Sequence, residues 1–256
     1  MKNILTKIEF HYTYIIIALG FILTGYFSNI IIFTSIIIIH ELGHVLIGLY
    51  YKYKIDKITI YPYGGMTRFN TLINTNINKD LLVALSGIIM QFLYYLIITI
   101  LYTKGYIREY IYNIFTMYHS SILFFNILPI IPLDGSKIVN LILSKYLHFN
   151  LSNKLTIAIS LITIIALLIS RIFEYNYSFI IILSLLMKNI YDSYKNIEYI
   201  YNRFILERYL YKITYSQTKI IKNKKEMYKN KTHYFYINNK LLEEKEYLNK
   251  LYRTKK

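Results

Sequence analysis

His40 and His44 stand four residues apart in IIIIHELGHVLIGLYY, the stretch from Ile36 to Tyr51, with Glu41 beside the first of them. On a helix, residues i and i+4 share a face, so two imidazoles one turn apart can bind a single Zn²⁺ together. In an H-E-x-x-H arrangement the glutamate is not a ligand; it takes a proton from water at the metal and so prepares a nucleophile near neutral pH. Ionisable groups inside an apolar run are costly and face protein or a water cavity, which makes a shared role the economical reading of all three. The chain has no cysteine, so any metal must be held by His, Asp or Glu.

A catalytic zinc usually takes three protein ligands and keeps one position open, so His40 and His44 leave it one ligand short. The candidates are His11, His119, His148, His233, Asp56, Asp80, Glu109, Asp134 and Glu174. Asp134 stands out because it lies in NILPIIPLDG, residues 126–135, where Pro129 and Pro132 break an apolar run and Gly135 frees the backbone. At a rise of 1.5 Å per residue, His44 and Asp134 lie roughly 10 and 15 Å from the same end of their spans, compatible depths. The competing reading makes Asp134 an N-cap for a helix over 136–147. His119 lies roughly 22 Å along a helix from Asp134 and is expected to be a hydrogen-bonded interior histidine.

The elements that must carry these groups are membrane spans. Of the 256 residues 55% are hydrophobic, the mean hydropathy is positive, and the apolar residues gather in blocks, the profile of an integral membrane protein. Six blocks approach the length that crosses a bilayer, about 17–25 residues: 12–27, 30–51, 81–102, 110–133, 155–173 and 175–191. The first follows Lys2 and Lys7 without a small-residue cleavage site, and is expected to be a retained anchor. Lys and Arg concentrate in alternate loops, which predicts both termini in the cytoplasm. The formal net charge is +16, and from Lys188 onward 17 Lys/Arg face 7 Asp/Glu, so most of the excess belongs to a basic tail suited to anionic lipid. Nucleic acid is not an expected partner. Within the tail, 232–237 alternates like a strand, Asn238-Asn239 reads as a turn and 241–252 as a helix. Between the second and third spans, 54–60 and 61–69 read as a short β-hairpin bending at Gly64-Gly65. Its edge could take an extended substrate by strand addition.

HELGH (40–44), YPYGG (61–65) and NILPIIPLDG (126–135) together resemble the site-2 protease family of intramembrane zinc metalloproteases, peptidase family M50, in particular the bacterial group typified by the stage IV sporulation protease FB. The resemblance covers about residues 1–195. It implies that His40, His44 and Asp134 match the family's zinc ligands, that Glu41 matches its catalytic glutamate, and that Asn126 matches an asparagine that holds unwound substrate. It also implies one Zn²⁺ per chain, a core of spans two, three and four, and water reaching the metal from the cytoplasm. Two departures are visible. The third span reads Ser86-Gly87-Ile88-Ile89-Met90-Gln91 where the family usually has Gly-Pro followed by Asn, and Ser136 follows Gly135 where a second glycine is common. The tail has no match to a nucleotide-responsive domain, so ATP control is not carried over.

The expected fold is therefore an all-α polytopic membrane protein of about six transmembrane helices, with a β-hairpin after the second span. Residues 1–195 form the metalloprotease domain and 196–256 a small cytoplasmic tail. The expected function is zinc-dependent hydrolysis of a peptide bond within or near a transmembrane segment. The partner is a transmembrane or membrane-associated protein substrate, and a regulatory membrane protein is admitted as a second. The alternative is a membrane zinc-binding or transport protein, which would have no need of Glu41.

Overall fold

The computed structural model describes residues 5–170, 177–211, 213–237 and 240–253. The chain is mostly helical. A short strand β1 (Ile8–Phe10) leads into α1 (Tyr12–Leu23) and α2 (Phe27–Tyr50); β2 (Lys54–Tyr61) and β3 (Gly64–Asn70) follow, then α3 (Ile77–Thr103), α4 (Glu109–Ile127), α5 (Asp134–Tyr146), α6 (Phe149–Ser170) and α7 (Tyr177–Lys195). After α8 (Ile197–Leu210) come β4 (Thr218–Ile221), β5 (Thr232–Ile237), β6 (Lys240–Glu243) and α9 (Glu244–Arg253). Among the described residues, α2, α3 and α6 are long and apolar enough to cross a membrane; α1 is apolar but shorter.

α2 lies against both α3 and α4, and α3 also packs on α5. The helices interlock around Ile36 and Ile37 of α2 with Phe115 and Ile122 of α4, all buried. α3 starts cleanly because the Asn76 side chain accepts from the backbone N–H groups of Asn78 and Lys79, and Asp80 sits in the first turn where the helix dipole favours a negative charge.

The expected fourth span, 110–133, needs correction: α4 stops at Ile127 and a separate helix begins at Asp134. Pro129 and Pro132 offer no N–H for continuing the ladder, and a residue before proline avoids the helical region. Leu128 accordingly has φ −60° and ψ 134°. The last three residues of the expected fifth span and the start of the sixth lie outside the described residues, as does Glu174; α6 itself begins earlier than expected, at Phe149.

β2 and β3 pair antiparallel from Lys54↔Asn70 to Tyr61↔Gly64, so Pro62 and Tyr63 make the turn, and Gly64 and Gly65 open the second strand instead of forming the bend. β1, which was not expected, adds parallel to β2 and leaves β3 at the sheet's other edge.

In the tail, 232–237 is a strand as read, whereas 241–243 pair with it as part of β6 and the helix begins only at Glu244. Asn238-Asn239 lies outside the described residues. Phe204, Met227, Phe235 and Leu248 are fully buried together with Phe149 of α6, so the tail shares its core with a long apolar helix. A polar clamp adds to this. Glu207 of α8 accepts from the backbone N–H groups of Ile73 and Asn74 at 2.7 and 3.1 Å, and Arg208 Nε donates to Asn74 Oδ1 at 2.7 Å.

His233 in β5 is fully buried; its Nε2 accepts from the Tyr228 N–H and its Nδ1 donates to Glu244. Burial lowers its pKa below 6.5, outweighing the hydrogen bond to Glu244 that favours the charged ring. The Glu244 carboxyl is raised by burial but driven further down, below 4.5, by His233 and Arg208. For both groups the unfolded chain binds protons more readily than the folded tail, so acid removes stability. His233 contributes this loss as pH falls below about 6.5, and Glu244 below about 4.5. Amide exchange of β5, corrected for its intrinsic pH dependence, should therefore accelerate between pH about 7 and about 5; constant protection across that range would contradict the linkage.

Candidate metal centre

The helical spacing in α2 aims both imidazoles inward. His40 Nε2 and His44 Nε2 are 3.1 Å apart, and Asp134 Oδ2, the first residue of α5, lies 2.8 Å from each. All three side chains are buried. Their other atoms decide their protonation. His44 Nδ1 donates to the Val83 carbonyl at 2.7 Å and His40 Nδ1 to Gln91 Oε1 at 3.1 Å. Gln91 can only accept there, because its amide nitrogen donates to the His119 carbonyl at 3.0 Å. With each Nδ1 serving as donor, a neutral imidazole carries its lone pair on Nε2.

Two nitrogen lone pairs and a carboxylate oxygen thus converge within 3.1 Å, an arrangement that repels itself unless a cation sits among them. Ligands about 2.0–2.1 Å from a tetrahedral zinc lie about 3.3 Å apart. The three donors fit that ion in type and spacing, and leave one position for water or substrate. Lys137, one turn further along α5, holds the other carboxylate oxygen: its Nζ is 2.8 Å from Asp134 Oδ1. Only Oδ2 is then free to face the histidines.

Gly87 of α3 closes the far wall of this cluster. A Cβ there would stand 2.6 Å from His40 Nε2 and nearer still to His44 Nε2, so no other residue fits. Glu41 is buried beside the histidines, within 4.8 Å of their ligand atoms, and accepts from the Thr67 hydroxyl of β3 at 2.5 Å. Asn126, near the end of α4, is buried next to Gly64, and its side-chain NH₂ has no hydrogen-bond partner. Gly64 has φ +144°, which a side chain would strain. A cavity of about 590 Å³ reaches the cluster past His44, Thr67, Pro132 and Lys137, with Arg203 and Lys229 of the tail on its wall.

The remaining described candidates are engaged elsewhere or exposed. His11 caps α1, His148 stacks edge-on with Tyr228, and Asp80 binds the Tyr53 hydroxyl and Lys229. Asp56 and Glu109 are exposed. His119 is buried and stacked on Tyr95, the interior role expected of it. The reading from sequence missed Gln91, Lys137 and Thr67 as parts of the site. Gln91 was the most findable, being a polar residue in an apolar span one turn after Gly87.

Residues 28–115 match the model of peptidase family M50. The chain is 30% identical over 210 residues to stage IV sporulation protein FB of Bacillus subtilis, a match covering 81% of this chain and 73% of that protein. The chain belongs to peptidase family M50. It is also 26% identical over 162 residues to a zinc metalloprotease of Methanocaldococcus jannaschii, covering 58% of this chain and 46% of the relative. The solved site-2 protease from the same archaeon has a similar fold, with a TM-score of 0.57 at 22% identity over 73% of this chain and 89% of that one.

Replacing a group that orients a ligand histidine typically costs about 10–100-fold in metal affinity. Gln91→Leu should weaken zinc binding by about that factor, measured by chelator competition on the purified full chain, and Gly87→Ala should abolish stoichiometric binding. Wild-type affinity in Gln91→Leu would mean that His40 is oriented by something else.

Proposed function

We propose that this M50 peptidase hydrolyses a peptide bond within or near a membrane-embedded segment of a protein substrate, using one zinc ion held by His40, His44 and Asp134. The observation that carries the reading is the buried convergence of three lone-pair donors, with a fourth polar group, Glu41, at their side. Zinc, when held there, supplies Lewis-acid polarisation of a carbonyl and makes water more acidic. The chain's own residues do the rest. Glu41 takes the proton of the attacking water on its carboxylate and delivers it to the departing amine nitrogen, a general base that becomes a general acid. Lys137 keeps Asp134 turned toward the histidines. Asn126, with an unused buried NH₂, donates to a backbone carbonyl of the substrate. Gly64 and Gly65, at the start of an edge strand, let that extended backbone approach closely, in the manner of strand addition.

A helical substrate hides its carbonyls in its own hydrogen bonds, so the segment has to unwind before cleavage. Extended pairing along β3 rewards that opening. The finer topology we propose has six spans, carried by α1, α2, α3, α4, α6 and α7. Both termini and the tail are cytoplasmic, and His44 is about 9 Å from the cytoplasmic end of α2. Residues 196–256 form a tail that a regulatory membrane protein could contact.

The test is co-expression with single-span membrane proteins encoded beside this chain. Glu41→Gln should retain zinc yet let uncleaved substrate accumulate, with cleavage slowed by at least about a hundredfold; His44→Ala should lose zinc and cleavage together. Undiminished activity in Glu41→Gln would favour zinc binding or transport over hydrolysis.

A further inference from the structure

Glu41 is gripped by a strand that its own sequence neighbourhood does not contain. The Thr67 hydroxyl, in β3, donates to Glu41 Oε2 at 2.5 Å, across a separation of 26 residues, and both side chains are buried. A hydroxyl has one proton to give, and here it goes to this carboxylate. Two residues earlier on the strand, and so on the same face, Gly65 lies against the same side chain: a Cβ at that position would stand 2.5 Å from Glu41 Cδ. β3 therefore touches Glu41 twice, once through a hydrogen bond and once through bare backbone. The strand itself is fixed from behind. Thr67 and Gly65 pair with Ile58 and Ile60 of β2, both buried in the interior. On its other side β3 is the edge of the three-stranded sheet.

We propose that Thr67 is a positioning residue for the proton-transferring glutamate. Its hydroxyl occupies Oε2 and leaves Oε1, which lies over the bare backbone of Gly65, to serve the reacting water, and β3 thereby couples the docking of an extended substrate at its open edge to the aim of Glu41. This rests on the function proposed above and extends it to a residue outside the H-E-x-x-H motif. A carboxylate with two equivalent oxygens and free rotation about its last bonds presents either oxygen in many orientations. One charge-assisted hydrogen bond from a strand removes that freedom before substrate arrives, which is worth more to the rate than to binding. The restriction also explains why Gly65 carries no side chain: any Cβ would push Glu41 off the hydroxyl.

The experiment uses the full-length, zinc-loaded chain and a quenched fluorescent single-span reporter with a glycine-containing transmembrane segment. Thr67→Val removes the hydroxyl and keeps the shape; it should lower kcat by about tenfold or more with KM within about twofold and zinc content unchanged. Thr67→Ser returns the hydroxyl and should restore kcat to within about threefold of wild type. The hydrogen bond is read separately, without substrate, from the infrared carboxylate band of Glu41 isolated by subtracting the Glu41→Gln spectrum. That band should shift in Thr67→Val and not in Thr67→Ser. A dead Glu41→Gln with a fully active Thr67→Val, an unshifted band in Thr67→Val, or equal damage in Val and Ser would each overturn the proposal. Equal cleavage by wild type and Glu41→Gln would instead strike the peptidase reading itself, while the infrared comparison still decides whether Thr67 holds the carboxylate.

Discussion

His40 Nε2, His44 Nε2 and Asp134 Oδ2 converge in a buried site suited to a shared cation, and holding them there organises the molecule. Neighbours hold each of the three from behind: Gln91 and the Val83 carbonyl on the histidines, Lys137 on the aspartate. Each of these restraints comes from a different place in the chain. α3 supplies two of them and also the bare Gly87 surface, so the contact between α2 and α3 is as much part of the proposed metal site as its candidate ligands. Buried polar groups pay a large desolvation cost unless satisfied, and here every backing partner is itself satisfied, as Gln91 is by the His119 carbonyl.

The sheet and the tail extend the same logic outward. β3 lies between Glu41 and an open edge, while the linker that follows it, around Ile73 and Asn74, is clamped by Glu207 and Arg208 of α8. A peptide group in that linker has its N–H bonded to a carboxylate instead of to water, which holds the linker rigid where loops ordinarily flex. The strand is thus anchored at its far end by the tail and near its start by packing against Glu41.

The sequence was most legible where chemistry repeats at a local period. His40, Glu41 and His44 announce themselves by four-residue spacing inside an apolar run, and Asp134 by the two prolines and the glycine around it. The break between α4 and α5 falls at the same prolines, inside the expected span 110–133. What could not be read was anything defined by a partner far along the chain. Gln91 acts on a residue 51 positions away and Thr67 on one 26 positions away, and neither period nor propensity encodes such pairs. β1 and β6 were missed for a related reason: three or four residues carry too little pattern to outweigh a neighbouring helix, and only pairing with β2 and β5 makes them strands.

The sequence separation between the two halves of the proposed metal site bears on biosynthesis. His40 and His44 leave the ribosome some ninety residues before Asp134. Until α5 has been made and has docked against α3, the growing chain offers only a two-nitrogen site in α2, with neither carboxylate nor lysine to complete it. A nascent chain inserting into the membrane among other proteins therefore passes its first two helices through without a finished centre. The order of synthesis postpones that centre to a stage when the helices enclosing it are already present.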